Sequence, residues 1–198
     1  MKGRLICFEG VDGSGKGLQI GKLAERMLNS ISFTYPDKNW EVGRIIDTFL
    51  KKKVHLNPVH QFLLYSSDIF KDQGKLEKLL AGGKTVILDR YIFSTIAYQG
   101  ASGFEMKRGI GIAKELGFIK PDITFLLDIS PKTSVERKKK QNKSLERFEK
   151  EKFLKKVRKN YLGLAKRNFL SKKWVVVNGE RDPDEMAREI RLLVLKTP

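Results

Sequence analysis

The run Phe8-Glu9-Gly10-Val11-Asp12-Gly13-Ser14-Gly15-Lys16-Gly17 constrains this chain more than any other stretch. An apolar segment, Leu5-Ile6-Cys7-Phe8, leads into it and reads as a buried strand. Leu18, Ile20, Leu23, Ala24, Met27 and Leu28 follow near the helical period, so an amphipathic helix is expected next. Strand, glycine-rich turn, Gly-Lys and helix together spell G-x-x-x-x-G-K, the pattern of a phosphate-binding loop. Glycines let successive backbone N–H groups converge on one anion, and the helix start adds its positive dipole end. Gly10, Gly13, Ser14, Gly15, Lys16 and Gly17 are the expected phosphate ligands, with Lys16 reaching the outer phosphate oxygens. The plain alternative is an ordinary glycine-rich turn between strand and helix.

One letter departs from the pattern. The residue after the lysine is ordinarily Ser or Thr, whose hydroxyl ligates Mg²⁺, and here it is Gly17. Phosphate cradling uses backbone groups and survives the change. Magnesium loses one oxygen ligand, which water or a nearby carboxylate would have to replace.

A chain of 198 residues with 40% hydrophobic content suits a single domain with a sizeable core. No apolar run approaches membrane-spanning length and the N-terminus shows no signal-peptide pattern, so a soluble cytoplasmic protein is expected. The single cysteine, Cys7, falls in the first strand and has no intrachain partner. The formal charge of +17 would suit nucleic acid or a substrate with several phosphates. Basic runs at Lys51–Lys53, Arg137–Lys143 and Lys150–Lys159 fall on several helices, and the last alternates with Phe153, Val157 and Tyr161 as a solvated helix face does. Nucleic acid is therefore not the expected partner. High Lys and Glu content also fits a protein from a hot environment.

Further along, Ile31 to Tyr35 reads as a second strand closed by Pro36-Asp37, and Trp40, Val42, Ile45, Ile46, Phe49 and Leu50 trace a helix stripe. Asn57-Pro58 opens another helix, carrying Val59, Phe62, Leu63, Leu76, Leu79 and Leu80 as far as Gly82-Gly83. Apolar runs Thr85–Leu88, Ile123–Leu127 and Trp174–Val177 complete the strands, and Asp182-Pro183-Asp184-Glu185 starts the last helix. Continuous apolar strands alternating with helices predict an α/β fold, a three-layer parallel sheet with helices on both faces. Right-handed crossovers then put the phosphate loop at the carboxyl ends of the strands.

Two strands end in aspartate, Asp89 and Asp128, and such a residue can hold magnesium directly or through water. Asp128 is better read as a cap for the helix opening at Ser130-Pro131. Asp89 is followed at once by Arg90, which suggests paired metal and phosphate work, a structural ion pair being the plainer option. The stretch from Arg137 to Arg147 is basic, almost without apolar residues, and placed to act as a flap over the phosphate loop. An arginine from it would neutralise charge in phosphoryl transfer; a solvated charge run fits the pattern equally.

These stretches resemble the thymidylate kinases of the nucleoside monophosphate kinase group, along nearly the whole chain. The resemblance rests on the loop itself, Tyr35-Pro36-Asp37-Lys38, Leu63-Leu64-Tyr65-Ser66, and Asp89-Arg90-Tyr91 running through Ser94 to Ala97-Tyr98-Gln99-Gly100. Pro121-Asp122 and Glu146-Arg147-Phe148 extend it. It implies a single P-loop kinase domain over residues 1–198 with a flap at about 137–147. It also implies ATP and Mg²⁺ as cofactors, dTMP as acceptor, and a homodimer formed through helix faces. Lys16 and the loop amides would hold the ATP phosphates, and Asp89 would face the metal. Asp12 would accept from the 3′-hydroxyl of the monophosphate, Arg90 with Lys38 would grip its phosphate, and Tyr65 would stack on the base. Tyr35, Ser94, Tyr98 and Gln99 would complete the acceptor pocket. Some family members carry a catalytic arginine inside the loop where this chain has Gly13, so Arg137 and Arg147 become the candidates.

The chain departs from the family at the base as well. Four positions after the stacking aromatic the family has an arginine that reads a thymine carbonyl, and this chain has Ile69. The expectation is ATP-dependent phosphorylation of dTMP with relaxed base selectivity. Another pyrimidine monophosphate as acceptor, or a nucleotide- or nucleic-acid-binding protein with weak kinase activity, are the alternatives.

Overall fold

A computed structural model describes residues 3–140 and 150–197. Its five strands are β1 (Arg4–Glu9), β2 (Ser30–Thr34), β3 (Thr85–Asp89), β4 (Ile123–Asp128) and β5 (Trp174–Asn178). They pair in parallel in the order β2-β3-β1-β4-β5, so the strand that feeds the phosphate loop lies in the centre. The helices are α1 (Lys16–Ala24), α2 (Glu41–Leu50), α3 (Pro58–Phe70), α4 (Gln73–Ala81), α5 (Ile92–Ala101), α6 (Met106–Glu115), α7 (Pro131–Lys140), α8 (Glu151–Lys166) and α9 (Pro183–Leu195).

Side chains alternate across each strand, and the two core clusters follow that alternation. Ile6, Phe8, Ile87, Phe125, Leu127 and Val177 pack with Ile20 and Leu23 of α1 and Met186, Ile190 and Val194 of α9. Leu5, Cys7, Val86, Leu88 and Leu126 point the other way, into the larger cluster containing residues of α3, α5 and α8. The three-layer expectation holds, with the layers unequal in size.

The same alternation separates the two strand-end aspartates. Asp89 shares the α1 side with Ile87 and lines the cavity beside Lys16 and Gly17. Asp128 has the parity of Leu126 and faces α8, where Arg158 donates from Nε at 2.6 Å and Nη2 at 2.8 Å. The expectation that Asp128 caps a helix is thus corrected. Ser130 Oγ takes the N–H of Thr133 at the start of α7, and Asp128 is bound sideways to α8.

Other local expectations shift for identifiable reasons. The helix read from Asn57 to Gly82 is two, α3 and α4, meeting at Lys71-Asp72. Phe62, Ser66, Ile69, Gln73 and Leu76 are all buried and keep helical spacing through the joint, so the pattern alone cannot show the break. Asn57 caps α3 as expected, its side chain accepting from His60 N–H at 2.9 Å. Helix α1 stops at Ala24 because the chain must turn to run as β2 beside β3, which leaves Leu28 fully exposed. Val59 and Leu63, read as core, are exposed on α3. Helix α6 escapes the periodic reading because glycines interrupt it; at Gly109 a Cβ would sit 3.1 Å from the Phe62 ring.

Removing the charge from Asp128 tests its assignment. Asp128→Asn is expected to lower unfolding stability by about 1 kcal/mol, a partly exposed bidentate pair being worth little more. An unchanged thermal midpoint would show that the Arg158 contact contributes nothing.

Candidate active site

Glu9 closes β1 on the face of Leu5 and Cys7, which turns its carboxylate into the protein rather than toward the loop. It is wholly buried. Its Oε1 accepts the N–H groups of Tyr91 and Ser94 at the start of α5, at 2.9 and 3.2 Å, satisfying donors that a helix start leaves unpaired. Oε2 accepts Ser94 Oγ–H at 2.6 Å and Tyr161 O–H at 2.8 Å. Burial raises the Glu9 pKa, opposed by the Ser94 hydrogen bond and the Arg90 charge.

Arg90 rests on this group. Its backbone has φ of 71°, an uncommon conformation for a residue with a side chain, and it swings the guanidinium away from its chain neighbour. The plainer option, a structural Asp89–Arg90 ion pair, is not what forms: Arg90 Nη2 pairs with Asp12 Oδ1 at 2.5 Å. Nη1 donates to Gly10 O and Ser94 Oγ, both at 3.2 Å, and the guanidinium lies 5.3 Å from the Tyr98 ring centroid. Burial alone would raise the Asp12 pKa, but the charges of Arg90 and Lys16 outweigh it and hold the carboxyl at about 2. Asp12 is thus an anion at any working pH.

In the loop, Lys16 Nζ donates to Gly10 O at 3.0 Å and Val11 O at 3.3 Å. Burial, reinforced by Arg90, lowers its pKa to about 8. Gly13 has φ of 78°, and a Cβ there would come within 3.2 Å of Ser134 O, so the loop leaves little room for a side chain at that place. An arginine side chain reaches this place from α7. Arg137 Nη1 donates to Gly13 O and Gly179 O, each at 3.1 Å, while Ser134 Oγ–H donates to Asp12 O at 2.6 Å. Arg137 thus stands at the loop; Arg147, the other flap candidate, lies outside the described residues.

Two cavities open here. One is lined by the loop from Asp12 to Gly17, with Asp89, Arg137, Arg181, Pro183 and Met186. The other takes Lys38, Leu50, Tyr65, Ile69, Ser94, Thr95, Tyr98 and Gln99. Asp12, Tyr35, Arg90 and Lys138 line both and form the wall where they meet. Every acceptor-pocket residue expected from the sequence borders the second cavity. Lys38 also pairs with Asp47 at 2.8 Å, and Tyr35 O–H donates to Asp72 at 3.0 Å.

Glu9, Tyr161, Thr95 and Arg181 were not among the residues expected here, and Lys138 was expected only as part of the basic flap. Only Glu9 carried a local signal, its odd-numbered register with Leu5 and Cys7. Asp89 Oδ1 is buried without a hydrogen-bond partner among the described residues. A lone hard oxygen donor beside phosphate-binding groups suits Mg²⁺, which usually takes one or two carboxylates and completes its shell with phosphates and water. No group of three or more metal-ligating side chains occurs among the described residues.

The chain is similar to known proteins over nearly its whole length. The sequence profile of the family described as thymidylate kinase matches residues 8–190. A thymidylate kinase from Thermoanaerobacter sp. strain X514 is 34% identical, the match covering 99% of both chains. A probable thymidylate kinase from Methanocaldococcus jannaschii is 36% identical over 93% of this chain and 92% of its own. Among solved structures, the thymidylate kinase of Candida albicans, described there as having broad substrate specificity, superposes with a TM-score of 0.82 at 27% identity. That superposition covers 98% of this chain and 92% of the other. This chain belongs to the thymidylate kinase family.

Proposed function

We propose that this chain transfers the terminal phosphoryl group of ATP to dTMP. The observation that carries the reading is the shared wall, where a phosphate-loop cavity and an apolar cavity with polar rims meet at Asp12 and Arg90. Lys16 and the loop N–H groups hold the donor phosphates. Arg90 grips the acceptor phosphate, and Asp12 fixes Arg90 while offering its remaining oxygen to a ribose hydroxyl. A phosphate monoester has a second pKa near ~6, so the acceptor is already dianionic at neutral pH and needs no strong base. The protein's work is to align two mutually repelling anions, exclude water, and place positive charge on the moving group. Lys16, Arg90 and Arg137 supply that charge. Asp89 would hold Mg²⁺, which when bound neutralises phosphate oxygens.

Base selectivity is read from Ile69. It is 2% exposed, one helical turn from Tyr65 on α3, and lines the acceptor cavity with packing surface only. Gln99 Oε1 and Thr95 Oγ1, both buried without hydrogen-bond partners among the described residues, remain to read the base. We place a homodimer contact on α2 and α3, where Ile45, Val59 and Leu63 are exposed. No helix among the described residues is long and apolar enough to cross a membrane.

The test is ADP release with dTMP, dUMP, dCMP and dGMP as acceptors. We expect dTMP turnover, with dCMP disfavoured by no more than about 200-fold in kcat/KM, since apolar contacts discriminate weakly. Rejection of dCMP by about 10⁴-fold would mean another residue reads the base. Binding without turnover of any monophosphate would favour the nucleotide-binding alternative.

Two further outcomes follow from the loop. Lys16 binds phosphate as a cation, so kcat/KM for ATP should be level from neutral pH to about 8 and fall above it as the amine loses its proton. Lys16→Arg, which stays charged, should remove that fall whatever its basal rate. A Cβ at Gly17 meets nothing within 4 Å, so Gly17→Thr can be accommodated. It should lower the Mg²⁺ concentration for half-maximal rate, and an unchanged requirement would place the metal on Asp89 and water alone.

A further inference from the structure

The positive charge is not evenly distributed. Between residues 131 and 173 lie 17 of the 40 Lys and Arg but 4 of the 23 Asp and Glu, so +13 of the net +17 falls in the stretch of sequence that contains α7 and α8. Within it, Lys152, Lys155, Lys156, Lys159, Lys166 and Arg167 are all exposed. Their spacing sets them in one row along α8, about 21 Å from Lys152 to Lys166 at the helical rise. Among the described residues Lys155 alone of these six has an ion pair, with Glu151 at 3.2 Å.

The fold does not use this row. An ion-pair network for stability needs acids, and the row has one. Lys152, Lys155 and Lys156 stand in the N-terminal half of α8, where the helix dipole opposes cations. The face turned to the active site is the buried one, Leu154, Val157, Tyr161 and Leu164, and none of the six lines either cavity. A membrane helix would need that apolar stripe free, but it is committed to the core. No fully exposed aromatic interleaves the lysines, so stacking on a single strand is not provided for. What remains is a straight cationic rod suited to the phosphates of a double helix, which present about one negative charge per ~1.7 Å of axis. We propose that the exposed face of α8 binds the phosphodiester backbone of duplex nucleic acid without reading its sequence. This reverses the sequence expectation, which saw the lysines as spread over many helices.

The experiment is fluorescence anisotropy of a labelled DNA duplex with the full chain, across about 50 to 200 mM salt. With about five phosphates neutralised, log K should fall against log salt with a slope near about −4.5, some ~500-fold over that range. The triple variant Lys156→Gln, Lys159→Gln, Lys166→Gln should flatten the slope by about 2.7. Its kcat/KM for ATP and dTMP should not change. Lys107→Gln, Lys114→Gln, Lys120→Gln removes the same charge from exposed positions elsewhere and should leave the slope as it was. Equal weakening by both triples would show a net-charge effect and overturn the proposal. So would competition by ADP, which would place the duplex at the active site. Tighter binding to the single strand, or binding to vesicles containing phosphatidylserine but not to duplex, would also overturn it. An RNA duplex run in parallel tells which nucleic acid is preferred, and binding to either supports the proposal. A fall in kcat/KM with duplex binding intact would assign the row to substrate steering and refute it.

Discussion

A carboxylate with no access to water holds the active site together. Burying an anion is unfavourable unless its oxygens are fully hydrogen-bonded, and Glu9, at the end of β1, meets that condition with donors from the start of α5 and from α8 at once. Three elements far apart in sequence are therefore fixed at the point where β1 becomes the phosphate loop. Arg90 inherits its position from them, because Ser94 Oγ bonds both Glu9 and the guanidinium. The strained backbone at Arg90 is tolerated for the same reason: its surroundings determine it several times over.

Strand parity distributes the remaining chemistry. It sends Glu9 and Asp128 to the face covered by α5 and α8, and Asp89 to the face where α1 begins. Two carboxylates become structural and one stays available beside the phosphates. Electrostatics then polarises the wall between the cavities. Asp12 is driven fully ionic, while Lys16, short of compensating charge in a buried place, is brought within reach of neutral pH. An incoming polyphosphate supplies what Lys16 lacks.

The basic arm follows a different logic from the site it adjoins. Arg137 reaches carbonyls at the phosphate loop, and Arg158 is held by Asp128. Beyond them the surface of α8 accumulates cations with one acid, Glu151, to balance them. The inner and outer faces of the same helix thus serve separate purposes.

The phosphate loop and the parallel sheet were legible from the chain alone, because each rests on short-range pattern. A glycine-rich turn after a strand has few backbone solutions, and apolar runs between helices have few sheets to join. Tyr65, Ile69, Ser94, Tyr98 and Gln99 could be named through the family resemblance, and all five border one cavity. The α3–α4 joint was hidden because burial keeps its period through the turn, and α6 because Gly109, which packs closely against Phe62, interrupts its apolar pattern. The roles of the acids were decided only in three dimensions. Asp12, Asp89 and Asp128 look alike as letters, yet which pairs with Arg90, which with Arg158 and which stays open depends on strand register and on helices about 30 to 80 residues away. Sequence carries the pattern of burial, which is local and periodic; the partner of a charge is set by whatever the finished fold brings within a few ångströms of it.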